Sequence, residues 1–241
     1  MKTIILLLGL SVSLFSGPIM ELKNKQGKTL QAEILGLNPK QVRFRSGTNP
    51  TEHTVPLSSL SEETIAALQS AENIPALHPE YATDIIIGKR RKKQKGSFYR
   101  VDQTITSAIK IQNKSLELDS PGINARLLIF GQDQKETQLH QVLAAFDYRA
   151  EPERNKTAEK TFEPFVTDYD SDNEGEGNVG GYKYVGYIFL LFDDSGKIIE
   201  IKSLYPDFKK ALAEGGELTT QLKTMAKGTL TTANLKPFQR P

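Results

Sequence analysis

Between Thr29 and Leu57 the chain carries three short runs that alternate apolar and polar residues, each set off by turn-forming residues. In Thr29-Leu30-Gln31-Ala32-Glu33-Ile34, residues Leu30, Ala32 and Ile34 share one face at a period of two. That is the spacing of a half-buried strand rather than a helix. Asn38-Pro39-Lys40 breaks the run. Gln41-Val42-Arg43-Phe44-Arg45 alternates again, and after Ser46 to Pro50 comes His53-Thr54-Val55-Pro56-Leu57, whose proline suits an edge or a strand end. Ahead of these, Ile19 to Lys23 is a first extended run, and Asn24-Lys25-Gln26-Gly27 is a turn. Four short strands in about forty residues are too few and too short for a deep sandwich, but they suffice to curl into a small barrel. Ser61 before Glu62-Glu63, with Ile65, Ala66 and Leu68 following, predicts a capped amphipathic helix at the end of the unit.

Gly27-Lys28-Thr29-Leu30, Ala32-Glu33-Ile34 and the terminal Val55-Pro56-Leu57-Ser58-Ser59-Leu60-Ser61 resemble the first Sla-type homology domain of yeast endocytic adaptors. Similar modules occur in exported proteins of Planctomycetes and Verrucomicrobia. The resemblance covers residues 21–69, about a fifth of the chain. It implies an SH3-like barrel and a protein or peptide partner, which for the yeast member is an NPFxD peptide. The matching positions are turn, core and cap residues, so they speak to the fold more directly than to a ligand.

Met1-Lys2 followed by the apolar stretch Thr3 to Phe15 has the layout of a secretory leader, assigned to residues 1–17; Ser11 and Ser13 offer small residues at the −3 and −1 positions of a cut. The run is shorter than the ~20 residues of a membrane-spanning helix, so no transmembrane anchor is expected after cleavage. The expected location is therefore the periplasm, the cell surface or the medium. Cysteine is absent, which excludes disulfides, thiolate metal sites and a lipid-anchored N-terminal cysteine. A net charge of +2 points to no partner by itself, and 25% charged with 38% apolar residues is a globular balance rather than a disordered one.

The barrel is assigned to residues 18–70, a proline-marked linker to 71–80, a larger β domain to 81–214 and a polar tail to 215–241, loose from Gly228. Extended segments at Tyr81–Gly88, Tyr99–Asn113, Ile123–Phe130, Leu139–Arg149, Lys160–Thr167, Tyr182–Phe192 and Lys197–Leu204 predict about seven strands. Tyr182 to Phe192 is apolar on both faces, as a central strand should be, and Asp193-Asp194-Ser195-Gly196 turns it into the next. The pattern predicts an immunoglobulin-like β-sandwich without the Cys…Trp…Cys core, with a short helix from Pro206 to Ala213. Gly96-Ser97-Phe98-Tyr99-Arg100 leading into Ile109 to Ser115 is similar to uncharacterised sandwich modules of exported Verrucomicrobial proteins.

Three constellations carry chemistry. Lys89, Arg90, Arg91, Lys92, Lys93 and Lys95 put six positive charges into seven residues, with Phe98 and Tyr99 close behind. This is either a site for a polyanion (lipopolysaccharide or another anionic envelope polymer, an acidic glycan, a membrane surface or extracellular nucleic acid) or a solvated loop between strands. Asp168, Asp170, Asp172 and Glu174 open like a calcium loop, but the twelfth position from Asp170 is Gly181, where an EF-hand needs a glutamate; the alternatives are a solvated glycine-rich loop or one lying against the basic run. His53, His78 and His140 have no metal-ligand or hydrolytic spacing, and no nucleophile elbow or phosphate loop is present. Carboxylates are plentiful enough that a glycosidase pair stays open. The expected function is thus an exported, non-enzymatic, adaptor-like protein binder without cofactor or specific nucleic acid, the alternative being a polyanion or glycan binder acting through 89–95.

Overall fold

The structure, a computed structural model, describes residues 17–46, 51–172, 174, 179–213 and 217–238. All but the last residue of the expected leader, residues 47–50 of the expected turn and part of the acidic loop lie outside the described residues. The protein is mainly β and divides into two compact units, Met1–His78 and Pro79–Pro241.

In the first unit β1 (Ile19–Lys23), β2 (Thr29–Leu37), β3 (Gln41–Ser46) and β4 (Glu52–Pro56) form one antiparallel sheet in chain order. Asn24 makes the β1–β2 turn: its Oδ1 accepts from the Gln26 and Lys28 amides at 3.0 and 2.9 Å, and Gly27 takes φ +81°. Register Ile34↔Phe44 and Val42↔Val55 stacks the alternating apolar residues on one face, with a bulge between Ile34 and Gly36 that bends β2. Pro56 ends the edge strand, and a single 3-10 turn (Leu57–Ser59) returns the chain to β1. There Lys25 N donates to Ser59 O (3.1 Å) and Ser61 N to Lys23 O (2.9 Å). These bonds curl the sheet into a half-barrel around Ala32, Ile34, Val42, Phe44, Leu57 and Leu60.

The Ser61 Oγ accepts from Thr64 N at 3.3 Å and caps α1 (Glu62–Ser70), while Thr64 Oγ1 accepts from Lys23 N at 3.1 Å. The cap therefore holds the helix to β1 as well as starting it, and Leu68 closes the core at 1% exposure. Part of the expected linker belongs to this unit. Leu37 N donates to Pro75 O, Leu77 N donates to Leu37 O, and Ile74 packs on the core.

In the second unit β5 (Tyr81–Lys93), β6 (Arg100–Asn113) and β9 (Thr157–Asp170) make a three-stranded sheet. The five-stranded sheet runs β11 (Ile198–Ser203), β10 (Tyr182–Phe192), β7 (Ile123–Asp133), β8 (Leu139–Ala150), β12 (Leu230–Thr232). Taken without β12, the two orders are the A-B-E and G-F-C-C′ arrangement of an immunoglobulin-like sandwich. Ile105, Ile109 and Ile111 of β6 meet Leu127, Ile129, Phe189 and Leu191 between the sheets.

The doubly apolar β10 lies inside the five-stranded sheet as its pattern requires. Tyr187, Phe189 and Leu191 face the partner sheet, while Ile188, Leu190 and Phe192 enter a second core on the far face. That second core corrects the expectation that residues 215–241 form a polar tail, loose from Gly228. It is closed by α2 (Pro206–Ala213) through Phe208 and Ala211, by Leu222 of α3 (Glu217–Thr224), and by Met225 and Leu235 in the segment beyond that helix. The Arg126 guanidinium donates to the Met225 carbonyl (2.5 Å) and to Asp147 (2.9 Å), so a sheet side chain satisfies an oxygen just past α3. β12 then adds to the edge of β8, with Thr231 opposite His140.

Candidate ligand-binding hairpin

Five of the seven residues of the basic run continue β5 instead of looping, because each finds a register partner on β6: Lys89↔Ile105, Arg90↔Thr104, Arg91↔Gln103, Lys92↔Asp102 and Lys93↔Val101. β5 is an edge strand, so among the described residues no further strand pairs with its far side. Paired residues share a face. Lys89, Arg91 and Lys93 therefore line the row of buried Ile105, Gln103 and Val101, and Arg90 and Lys92 occupy the opposite face. All five stay exposed. Same-face neighbours along a strand are about 6.8 Å apart, twice the rise per residue.

Lys89 Nζ sits 5.1 Å from the centroid of the Tyr184 ring. Burial, reinforced by Tyr187, pushes the Tyr184 hydroxyl up to about 12, so that ring stays neutral beneath the cation. Arg90, Arg91, Lys92, Lys93 and Lys95 make no ion pair with a described residue. The hairpin turn is well tied: Gln94 N donates to Arg100 O (3.0 Å), Arg100 N to Ser97 Oγ (3.0 Å) and Gln94 Nε2 to Asp102 Oδ1 (2.6 Å). On this rigid tip Phe98 is 84% and Tyr99 55% exposed, their ring centroids 6.4 Å apart. The hairpin thus carries cations on both faces of β5 and two adjacent exposed aromatics in its turn.

The acidic residues answer a different demand. Asp168 and Asp170 end β9, opposite Asp102 and Arg100 of β6. Asp168 is ion-paired with Arg100, whose Nε donates to its Oδ2 at 2.8 Å. Asp170 is 4% exposed and accepts from Val179 N, and its hydrogen bond to Asp172 raises the Asp172 carboxyl above the usual range. Among the described residues no group of three His, Asp or Glu side chains is placed to hold a metal ion. The structure thus does not gather Asp168, Asp170, Asp172 and Glu174 around a calcium position. Nor does any ion pair among the described residues join them to the basic run.

The histidines are likewise dispersed. His53 rests against Phe44 at 5.7 Å, whereas His140 is buried between Tyr205 and Phe208, at 5.5 and 5.7 Å between rings. A cavity of about 320 Å³ opens on the half-barrel, walled by Leu22, Leu30, Phe44, Val55 and Leu60 with Asn24, Gln26 and Lys28 at its polar side. The alternation of β2 predicts a core position for Leu30. At 41% exposure it instead lips this cavity.

No protein-family model matches the chain, and no curated protein matches it. Among solved structures the chain is similar to a crystal structure from Akkermansia muciniphila at 7% identity and a TM-score of 0.21, covering 67% of this chain and 89% of the other. A likeness at that score carries no argument about fold or function.

Proposed function

We propose that the protein acts by binding, without catalysis, and that its β5–β6 hairpin holds an anionic polymer of the cell envelope. The observation that carries this reading is the set of five cations without ion pairs among the described residues, Arg90 to Lys93 on the edge strand β5 and Lys95 in the turn that follows, with exposed Phe98 and Tyr99 on the same hairpin. Cations at a regular spacing track a charged backbone, and exposed rings stack on sugars or other planar groups. The apolar leader in the sequence supports action outside the cytoplasm. A protein or peptide partner is the second reading, supported by the cavity on the half-barrel and by the resemblance of that unit to Sla-type homology domains.

The test uses poly(dT) as a sequence-neutral polyanion of known charge spacing, followed by the organism's envelope polysaccharide. Neutralising about five charges on a single strand predicts a log K against log salt slope of roughly −3.5, at about 0.7 per charge. Arg90→Gln with Lys92→Gln should bring it to about −2.1 by the same coefficient. Phe98→Ala should weaken binding without moving the slope. On envelope polysaccharide the variants should elute in the same order. A slope indifferent to the two substitutions would show that binding occurs elsewhere.

A further inference from the structure

A second concave surface lies in the sandwich unit, between the edge strand β11 and helix α2. Its volume is about 490 Å³, within the range of small-molecule sites. Ile201, Leu204, Leu212 and the Tyr187 ring give it apolar walls, and Leu204 is 65% exposed at its rim. Three polar residues line it, and they are not equivalent. Lys202 is already engaged: its Nζ donates to the Thr83 carbonyl at 2.8 Å and pairs with Glu200 at 2.9 Å. Lys209, exposed on α2, makes no ion pair with a described residue. Ser203 is 8% exposed, and its Oγ is buried with no hydrogen-bond partner among the described residues.

A buried hydroxyl without a partner is a cost that a bound acceptor removes. An unengaged ammonium beside an apolar wall selects an anion, and a single one selects a monoanion. The polyanion reading of the β5–β6 hairpin is independent of this surface. We propose that the β11–α2 groove binds an amphiphilic monocarboxylate, an acyl chain ending in a carboxylate. The carboxylate takes a hydrogen bond from the Ser203 hydroxyl and an ion pair from Lys209, and the chain lies along Ile201, Leu204 and Leu212.

The experiment titrates the intact protein with decanoate below its micelle-forming concentration, following backbone amide shifts. Saturable shifts centred on Ile201 to Leu204 and Leu212 are expected. Octanoate should bind roughly tenfold more weakly for its two missing methylenes. Lys209→Gln, an exposed substitution that spares the core, should weaken decanoate about tenfold and leave decanol unaffected. Ser203→Ala, which removes an unsatisfied buried group, should keep the fold and also weaken decanoate. The proposal is overturned by shifts that do not saturate or fall elsewhere, or by equal decanoate affinity in Lys209→Gln and the parent.

Discussion

Replacing Phe208 by alanine tests whether α2 is packed on the five-stranded sheet. Phe208 is fully buried, with its ring 4.6 Å from Phe130 on the sheet, 4.7 Å from Tyr205 and 5.7 Å from His140. Its removal deletes the ring that packs α2 on Phe130 and His140, whose rings are held by strands that cannot collapse into the gap. Phe→Ala at such a site costs about 3–5 kcal/mol. Against a typical stability of about 5–15 kcal/mol that is a large fraction. For a unit of this size it corresponds to a fall of roughly 6–20 °C in thermal midpoint, at about 2–4 °C per kcal/mol. Urea unfolding followed by far-UV circular dichroism reads the loss as a lower midpoint at unchanged slope. Lys210→Ala, on the exposed side of the same helix, should stay within about 0.5 kcal/mol. If Phe208→Ala also lost under about 1 kcal/mol, α2 would not be packed on the sheet.

Two further predictions concern the interior of each unit. Burial holds the His140 imidazole below its usual value, against the opposing pull of the Gln138 carbonyl and Asp207. Its folded pKa being depressed, its contribution to stability is complete above the unfolded value near 6.5 and is lost as pH falls through the lower folded value. Unfolding midpoints measured from pH 7.5 to 5 should therefore fall, and His140→Gln should flatten that decline. Ser61→Ala removes the acceptor for Thr64 N and should destabilise the half-barrel by about 1 kcal/mol, with Ser61→Asp restoring most of it on denaturant titration.

The alternation of Ala32-Glu33-Ile34 and Val42-Arg43-Phe44 was enough to place the half-barrel strands, since the two faces of each strand meet different surroundings. Tyr182 to Phe192 likewise announced a strand buried on two sides. The cover on its second face was harder to see. Leu218, Leu222 and Met225 recur at helical spacing, but they sit among threonines and lysines in a segment whose average is polar. Only the sheet face they cover shows that the apolar stripe has a partner. The basic run misled in the opposite direction. The expected strand ended at Gly88 and left the six cations as a binding site or a solvated loop, whereas the ladder to β6 from Ile105 to Val101 supplies the backbone bonds that hold Lys89 to Lys93 extended. Phe98 and Tyr99 were legible as candidates from their position alone. Their exposure was not, because it depends on the hairpin turn projecting them past the strands that carry it. The β11–α2 groove joins residues on two elements and has no signature in sequence order.

The measurement closest to the central claim is a backbone amide map of the intact protein titrated with the anionic polysaccharide of its own envelope, at low and at high salt. Shifts confined to Lys89 through Tyr99 that vanish at high salt are the predicted result. Shifts around Leu22, Leu30 and Phe44 that persist at high salt would contradict it, and would place the ligand in the half-barrel cavity instead.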